Sequence, residues 1–260
     1  MQNELTLALI QTDLAWENPA KNRSIFTNKI KGIGDSVDLI VLPEMFSTGF
    51  TMNPKKVAET MQGETVKWMK DLAKERNIAI MGSLVISENN NYYNRLLFVH
   101  PDGLIDIYDK RHTFTLAGEH KVYKAGKQKL IVNYKGFKIR PLICYDLRFP
   151  VWSRITEDYD VLIYVANWPK QRISAWDALL RARAIENMSY CVGVNRVGYD
   201  LNDHEYTGHS AVYDVLGHEI TNIPKGTPSV DIVKLNKAHI KKYREKLQFL
   251  NDQDDFNLVV

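Results

Sequence analysis

Short β-rich runs alternate with amphipathic helical stretches along this 260-residue chain. That alternation is the strongest constraint on the fold, because strands joined by crossover helices form a sheet with helices outside it. Leu5 to Gln11 (LTLALIQ) reads as the first strand. Asn18-Pro19 then offers an N-cap with proline at the first helical position, and Ile25, Phe26, Ile30 and Ile33 carry the apolar stripe to a stop at Gly34. Asp38 to Leu42 (DLIVL) is the second strand, ended by Pro43. A helix from Thr65 to Asn77 aligns Val66, Met69, Leu72 and Ala73, and Ile78 to Leu84 follows as a strand so apolar that both of its faces must be covered.

Two hairpins come next. Tyr93 to His100 and Leu104 to Tyr108 flank the turn Pro101-Asp102-Gly103, and Leu130 to Tyr134 and Phe137 to Ile143 flank Lys135-Gly136. Beyond Cys144 the pattern predicts a helix from about Val151, a strand at Val161 to Val165 and a long helix from Ser174 to about Tyr190. Strands near Cys191 to Asn195, Ser210 to Asp214, His218 to Thr221 and Val230 to Leu235 precede a basic helix from Lys237. Length alone allows one large domain or two small ones, at roughly 150 residues each. With no linker tract, low-complexity segment or repeat, the expectation is one domain over residues 1–260, a mixed sheet with helices outside.

Lys and Arg total 34 against 31 Asp and Glu, a balance that gives no support to a polyanionic partner such as nucleic acid. Two cysteines rule out a disulfide framework and fit a reducing compartment. The N-terminal residues lack a cationic segment before their short apolar run, and no window approaches a membrane span. The expected address is therefore the cytoplasm, with no membrane partner. No HExxH, CxxC, GxGxxG or GxxxxGK[ST] occurs, so neither a metal nor a nucleotide cofactor is expected.

Three residues stand just past strand ends. Glu44 closes the second strand in LPEMF, Lys110 follows a strand in DKRHTF, and Cys144 follows one in CYDLRFP. Each has a plain structural reading: a helix cap or loop charge for Glu44, a solvated lysine for Lys110, a small buried hydrophobe for Cys144. Together they read differently. Open α/β sheets gather ligands at the carboxyl ends of their strands, where a carboxylate, an ammonium and a thiol can converge as base, oxyanion stabiliser and nucleophile. Cys191, inside YCVGV, reads as core.

These three segments resemble, in order and spacing, the Glu, Lys and Cys motifs of the nitrilase superfamily of carbon–nitrogen hydrolases. VANWP, WDALLRARAIENMSYCVGVNRVG and YTGHSAVYDVLGHEI extend the resemblance over nearly the whole chain, and ANWP, ARAIEN and VNRVG are most similar to the ω-amidase branch. The resemblance implies a four-layer αββα sandwich, commonly a homodimer. It also implies Glu44 as general base, Lys110 as stabiliser of the tetrahedral intermediate, Cys144 as nucleophile, the Tyr145 N–H as second oxyanion donor and Glu119 as a supporting carboxylate. The implied substrate is a small amide, 2-oxoglutaramate or 2-oxosuccinamate, split with water and no cofactor. Deaminated glutathione, an N-carbamoyl amine, a nitrile or an aliphatic amide are alternatives with the same mechanism; a thiol redox sensor or a silent binding subunit is the alternative of another class.

Phe46 and Trp168 are candidate walls of the acyl pocket, and Arg172 and Arg148 candidate anchors for a substrate carboxylate. For Arg148 the sequence favours an ion pair with Asp146 that shapes the turn after Cys144. Arg181, Arg183 and Glu186 are candidates for pairing across a dimer seam, and the basic tail reads as a solvated face or a partner clamp. His112 and His209 have no step to perform in this chemistry.

Overall fold

The computed structural model describes residues 3–259. In chain order the strands are β1 (Glu4–Gln11), β2 (Leu39–Val41), β3 (Ala79–Glu88), β4 (Asn91–Val99), β5 (Ile105–Asp109), β6 (Val132–Tyr134), β7 (Phe137–Ile143), β8 (Val161–Ala166) and β9 (Tyr190–Asn195). The chain continues through β10 (Val197–Tyr199), β11 (Glu205–Thr207), β12 (Ala211–Tyr213) and β13 (Ser229–Asn236). The longer helices are α1 (Pro19–Lys31), α2 (Glu64–Arg76), α3 (Ile173–Asn187) and α4 (Lys237–Leu247).

Two mixed sheets result. One runs β13-β1-β2-β3-β4-β5 with β1, β2 and β3 parallel; the other runs β12-β9-β8-β7-β6 with β7, β8 and β9 parallel. The side-chain period of two decides what each face covers. Leu5, Leu7, Leu9, Leu39, Val41, Ala79, Met81, Leu96 and Phe98 point at the second sheet, packing in one core with its Ile139, Ile143, Ile163 and Val165. Their alternates Ala8, Ile10, Ile40, Leu42, Ile80 and Leu97 point away, onto Phe26 and Ile30 of α1 and Val66, Met69 and Ala73 of α2. On the far side, α3 lays Trp176, Leu180 and Ala184 against the second sheet. A Cβ on Gly193 of β9 would come within 2.4 Å of Leu180 and 2.6 Å of Trp176, so glycine is what lets helix and strand approach. The layers are helix, sheet, sheet, helix, the αββα sandwich expected.

Local signals place most elements. Asn18 Oδ1 accepts from the N–H of Lys21 to cap α1, with Pro19 at its first position. The helix stops at Lys31, two residues before Ile33, and Arg76 of α2 takes the carbonyls of Ile30 and Ile33. Asn77 ends α2 in the left-handed conformation. The sequence reading did not join β3 to β4, yet Asn89 and Asn90, at φ 50° and 59°, make a two-residue hairpin turn between them.

Three expectations are corrected. The helix from Val151 is a single turn, Pro150–Ser153, because Arg154 turns extended and donates to the Glu186 carbonyl and to Asn187 Oδ1 at the end of α3. His218 to Thr221 is not a strand; Glu219 makes one isolated bridge to Tyr213. Arg183 needs no partner subunit, since it bonds Glu186 at 3.0 Å and the Leu147 carbonyl at 2.7 Å within its own chain.

Candidate active site

All three candidate residues sit at carboxyl ends of strands in the two facing sheets. Beyond β2 the backbone turns sharply at Met45 (φ 42°), whose N–H donates to Ser83 Oγ at 2.8 Å, while the N–H of Phe46 donates to the Ser83 carbonyl at 3.2 Å. Glu44 is thereby pinned to β3 and faces inward, with no exposed surface. Lys110 leaves β5 with its N–H donating to the Asn94 carbonyl of β4 at 3.0 Å. Cys144 follows β7 at φ 42°, a left-handed conformation unusual for a non-glycine residue, and opens the 3₁₀ segment Cys144–Arg148. The first N–H groups of such a segment have no acceptor within it, and that of Tyr145 is among them.

The ammonium of Lys110 lies 2.9 Å from Glu44 Oε1 and 3.0 and 2.9 Å from the two oxygens of Glu119, all three side chains buried. Asn94 Nδ2 donates to Glu44 Oε1 at 2.8 Å and to Glu119 Oε1 at 3.3 Å. The remaining oxygen of Glu44 accepts the N–H of Asn167 at 2.8 Å, and Asn167 Nδ2 donates to the Glu44 carbonyl at 2.6 Å. The thiol of Cys144 stands 4.0 Å from the Asn167 carbonyl oxygen. Two carboxylates thus face one ammonium around a thiol.

This arrangement sets protonation. Burial disfavours a charged thiolate, and the Glu44 carboxylate adds to that while Lys110 opposes it, so the thiol of Cys144 titrates well above its usual range. Burial by itself lowers Lys110, but the Glu119 and Glu44 carboxylates outweigh it and hold the amine protonated. Glu119 is raised by burial, against the pull of Lys110. The thiol is thus held in its protonated form, with the Glu44 carboxylate in the same cluster.

Cys144 and Lys110 lie at the floor of a cavity of about 620 Å³. Trp168 walls it, fixed by its N–H to Asn195 Oδ1 and its indole N–H to the Arg172 carbonyl, both 2.8 Å; it also packs on Trp176, so it serves pocket and core together. Arg148 lies over the Trp168 ring at 4.9 Å and Arg172 over the Phe114 ring at 5.2 Å. Both line the cavity, and among the described residues neither forms an ion pair, unlike Arg23, Arg76, Arg95, Arg183, Arg196 and Arg244. Arg148 therefore does not pair with Asp146, which instead accepts from Tyr108, His112 and the Ile143 N–H.

Phe46 is not a wall of this cavity. Its ring points the other way, into the layer beneath α1 and α2, at 5.3 Å from Phe26 and 5.9 Å from Trp68, and it seats against Gly82, where a Cβ would come within 2.9 Å. Met45 at positive φ reverses the side-chain direction expected from the strand. Phe46→Ala should cost about 3–5 kcal/mol by cavity formation, lowering the thermal midpoint on the order of 10 °C with KM unchanged; a changed KM at unchanged stability would place the ring at the substrate.

Sequence reasoning passed over Asn94 and Asn167. Asn94 lies inside a strand and carries no local mark of function. Asn167 stands in ANWP at the end of β8, the same strand-end position that marked the other three, and that signal was available.

A carbon–nitrogen hydrolase family model matches residues 6–245. The chain belongs to this family, the nitrilase superfamily, and is a hydrolytic enzyme. Over 254 residues it is 43% identical to the omega-amidase YafV of Escherichia coli strain K12, covering 98% of both chains. It is 34% identical over 217 residues to the 2-oxoglutaramate amidase of Bacillus subtilis strain 168, covering 82% of this chain and 83% of that one. Its fold superimposes with a TM-score of 0.96 on XC1258 of Xanthomonas campestris, a superfamily protein with an arsenic adduct in its active site, at 39% identity over 98% of this chain and 99% of the other.

Proposed function

We propose that this chain hydrolyses the ω-amide of a small 2-oxo dicarboxylic acid monoamide, 2-oxoglutaramate or 2-oxosuccinamate, to the acid and ammonia through a thioester on Cys144. The observation that carries the reading is the cluster itself: a protonated thiol beside a buried carboxylate and ammonium, at the base of a cavity with two arginines free of carboxylates. In acylation Glu44 takes the thiol proton as sulfur bonds the amide carbon, and the carbonyl oxygen gathers charge. Lys110 Nζ and the Tyr145 N–H stabilise that oxygen; each such donor is typically worth about 3 kcal/mol. The C–N bond breaks as Glu44 delivers its proton to nitrogen, and ammonia leaves. Glu44 then deprotonates water, which attacks the thioester, and the C–S bond breaks with the proton returned to sulfur. Glu119 holds Lys110 in place throughout.

Arg172 and Arg148 are the proposed anchors for the substrate's carboxylate, and Trp168 the wall along its carbon chain. A charge-assisted hydrogen bond is worth about 1.5–3 kcal/mol. Arg172→Ala or Arg148→Ala should therefore lower kcat/KM for 2-oxoglutaramate by roughly 10- to 150-fold while sparing an uncharged aliphatic amide. Equal losses on both substrates would remove the anchor role. The decisive assay is ammonia release: a rate with 2-oxoglutaramate no higher than with simple aliphatic amides refutes the substrate class, and parallel kinetics with deaminated glutathione, N-carbamoyl amines and nitriles compare the alternatives.

A redox-sensor role is disfavoured, because sensors use exposed thiols of lowered pKa and this one is buried and raised. We read residues 1–260 as one hydrolase domain, since a single core spans both sheets. No helix among the described residues is long and apolar enough to cross a membrane; a cytoplasmic address agrees with a thiol that must stay reduced. A homodimer, the family's common assembly, agrees with apolar Val151 and Ile185 exposed on elements flanking the site, and light scattering on the purified protein measures it.

A further inference from the structure

We infer that Asp146 and His112 form a positioning dyad that holds the Lys110 loop and the Cys144 turn in fixed register; the inference rests on the hydrolase reading above.

Asp146 is buried with no exposed surface, two residues past the nucleophile. Its carboxylate accepts four hydrogen bonds. Oδ1 takes the backbone N–H of His112 at 2.9 Å and His112 Nδ1 at 2.8 Å; Oδ2 takes the hydroxyl of Tyr108 at 2.7 Å and the N–H of Ile143 at 3.1 Å. The Tyr108 oxygen in turn accepts the indole N–H of Trp152 at 2.9 Å and the N–H of Arg111 at 3.3 Å. Both neighbours of the catalytic pair are therefore tied to one group. Tyr108, Arg111 and His112 bracket Lys110, and Ile143 directly precedes Cys144. The Tyr108 hydroxyl reinforces the tie, since it bonds both the Arg111 N–H and Asp146.

His112 matters because it completes this carboxylate. Its ring stacks on Phe149 with centroids 3.8 Å apart and planes 10° from parallel, which orients Nδ1 toward Asp146. The dyad touches neither the thiol nor the Lys110 ammonium, so it acts by geometry. Lys110 must reach an oxyanion that forms on a carbon bonded to Cys144, and these residues belong to different sheets. A displacement of about 1 Å between such groups costs roughly 10²-fold in rate, whereas ground-state binding through Arg172, which lines the cavity from the separate segment Lys170–Arg172, is unaffected.

The test compares Asp146→Asn, His112→Ala and His112→Asn. An amide can accept at only one atom and turns its NH₂ toward two donors, so D146N should lower kcat by about 10- to 100-fold with KM within about twofold. H112A should show the same split. In H112N the Asn Nδ2 falls near the position of His Nδ1 and keeps the donor, so kcat should recover to within about threefold of wild type. Thermal melts accompany each variant. If D146N does not fold, the His112 pair decides, because that ring lies at the edge of the network. H112A with wild-type kcat, or H112N as impaired as H112A, overturns the dyad. Wild-type protein without Cys144-dependent turnover refutes the hydrolase reading instead, a result that Cys144→Ala separates from the first.

Discussion

Glu44→Gln is expected to abolish turnover in a protein that still folds. The substitution keeps shape, and the amide oxygen can still accept from Lys110 and Asn94, now bonded to Oε1. Its NH₂ must then face the Asn167 N–H that Oε2 accepts at 2.8 Å, a loss of about 1–3 kcal/mol for one unmet buried donor. The chemical loss is far larger. One proton-transfer group contributes about 10²–10⁴-fold, and the proposed mechanism uses Glu44 in acylation and again in deacylation. A fall of at least about 10³-fold in kcat/KM is the expected result.

The thiol should respond in the opposite direction. The Glu44 carboxylate raises the Cys144 pKa while Lys110 lowers it, so removing the carboxylate lets the thiol ionise at lower pH. The pH midpoint for alkylation of Cys144 by iodoacetamide should move down in the variant even as amide hydrolysis disappears. An E44Q protein that keeps more than a tenth of wild-type activity would refute the role of the carboxylate.

Cys144→Ala should be more severe, on the order of 10⁶-fold, because the effect of losing a nucleophile is not shared by the groups around it. Wild-type protein quenched during turnover should carry the acyl group as a thioester on Cys144, visible as an intact-mass shift and absent in the variant. Cys191 provides the internal control. It is fully buried in β9, and burial raises its thiol far above the usual range, so an acyl group found there instead would overturn the assignment. Alanine at position 144 inherits the same left-handed conformation, so little change in stability is expected and the loss of rate is read directly as chemistry.

The positions of Glu44, Lys110 and Cys144 were legible because each is marked locally: an apolar run ends, a polar residue follows, and the chain turns. The same locality explains the caps at Asn18 and Asn77 and the turn at Lys135-Gly136, where φ of 48° and 82° matches the short hairpin expected. Asn167 carries the same strand-end mark just past β8, whereas the other features hidden in the sequence depend on space rather than neighbourhood. Asn94 bridges Glu44 and Glu119, fifty and twenty-five residues away, and nothing next to it in the chain records that. Arg148 and Asp146 are close in sequence and oppositely charged, yet the 3₁₀ turn sends one to the cavity and the other inward to His112.

By itself, then, the sequence determined most of the segments that become strands and helices and which residues stand at the strand ends, because hydrophobic period, proline and glycine act within a few residues. Tertiary structure alone decided which sheet each strand joins and which face each side chain takes. It also decided that two buried carboxylates share one ammonium beside the thiol. Those outcomes follow from packing two sheets face to face, a condition imposed by residues a hundred positions apart, and the electrostatics of the site exist only once that packing has excluded water.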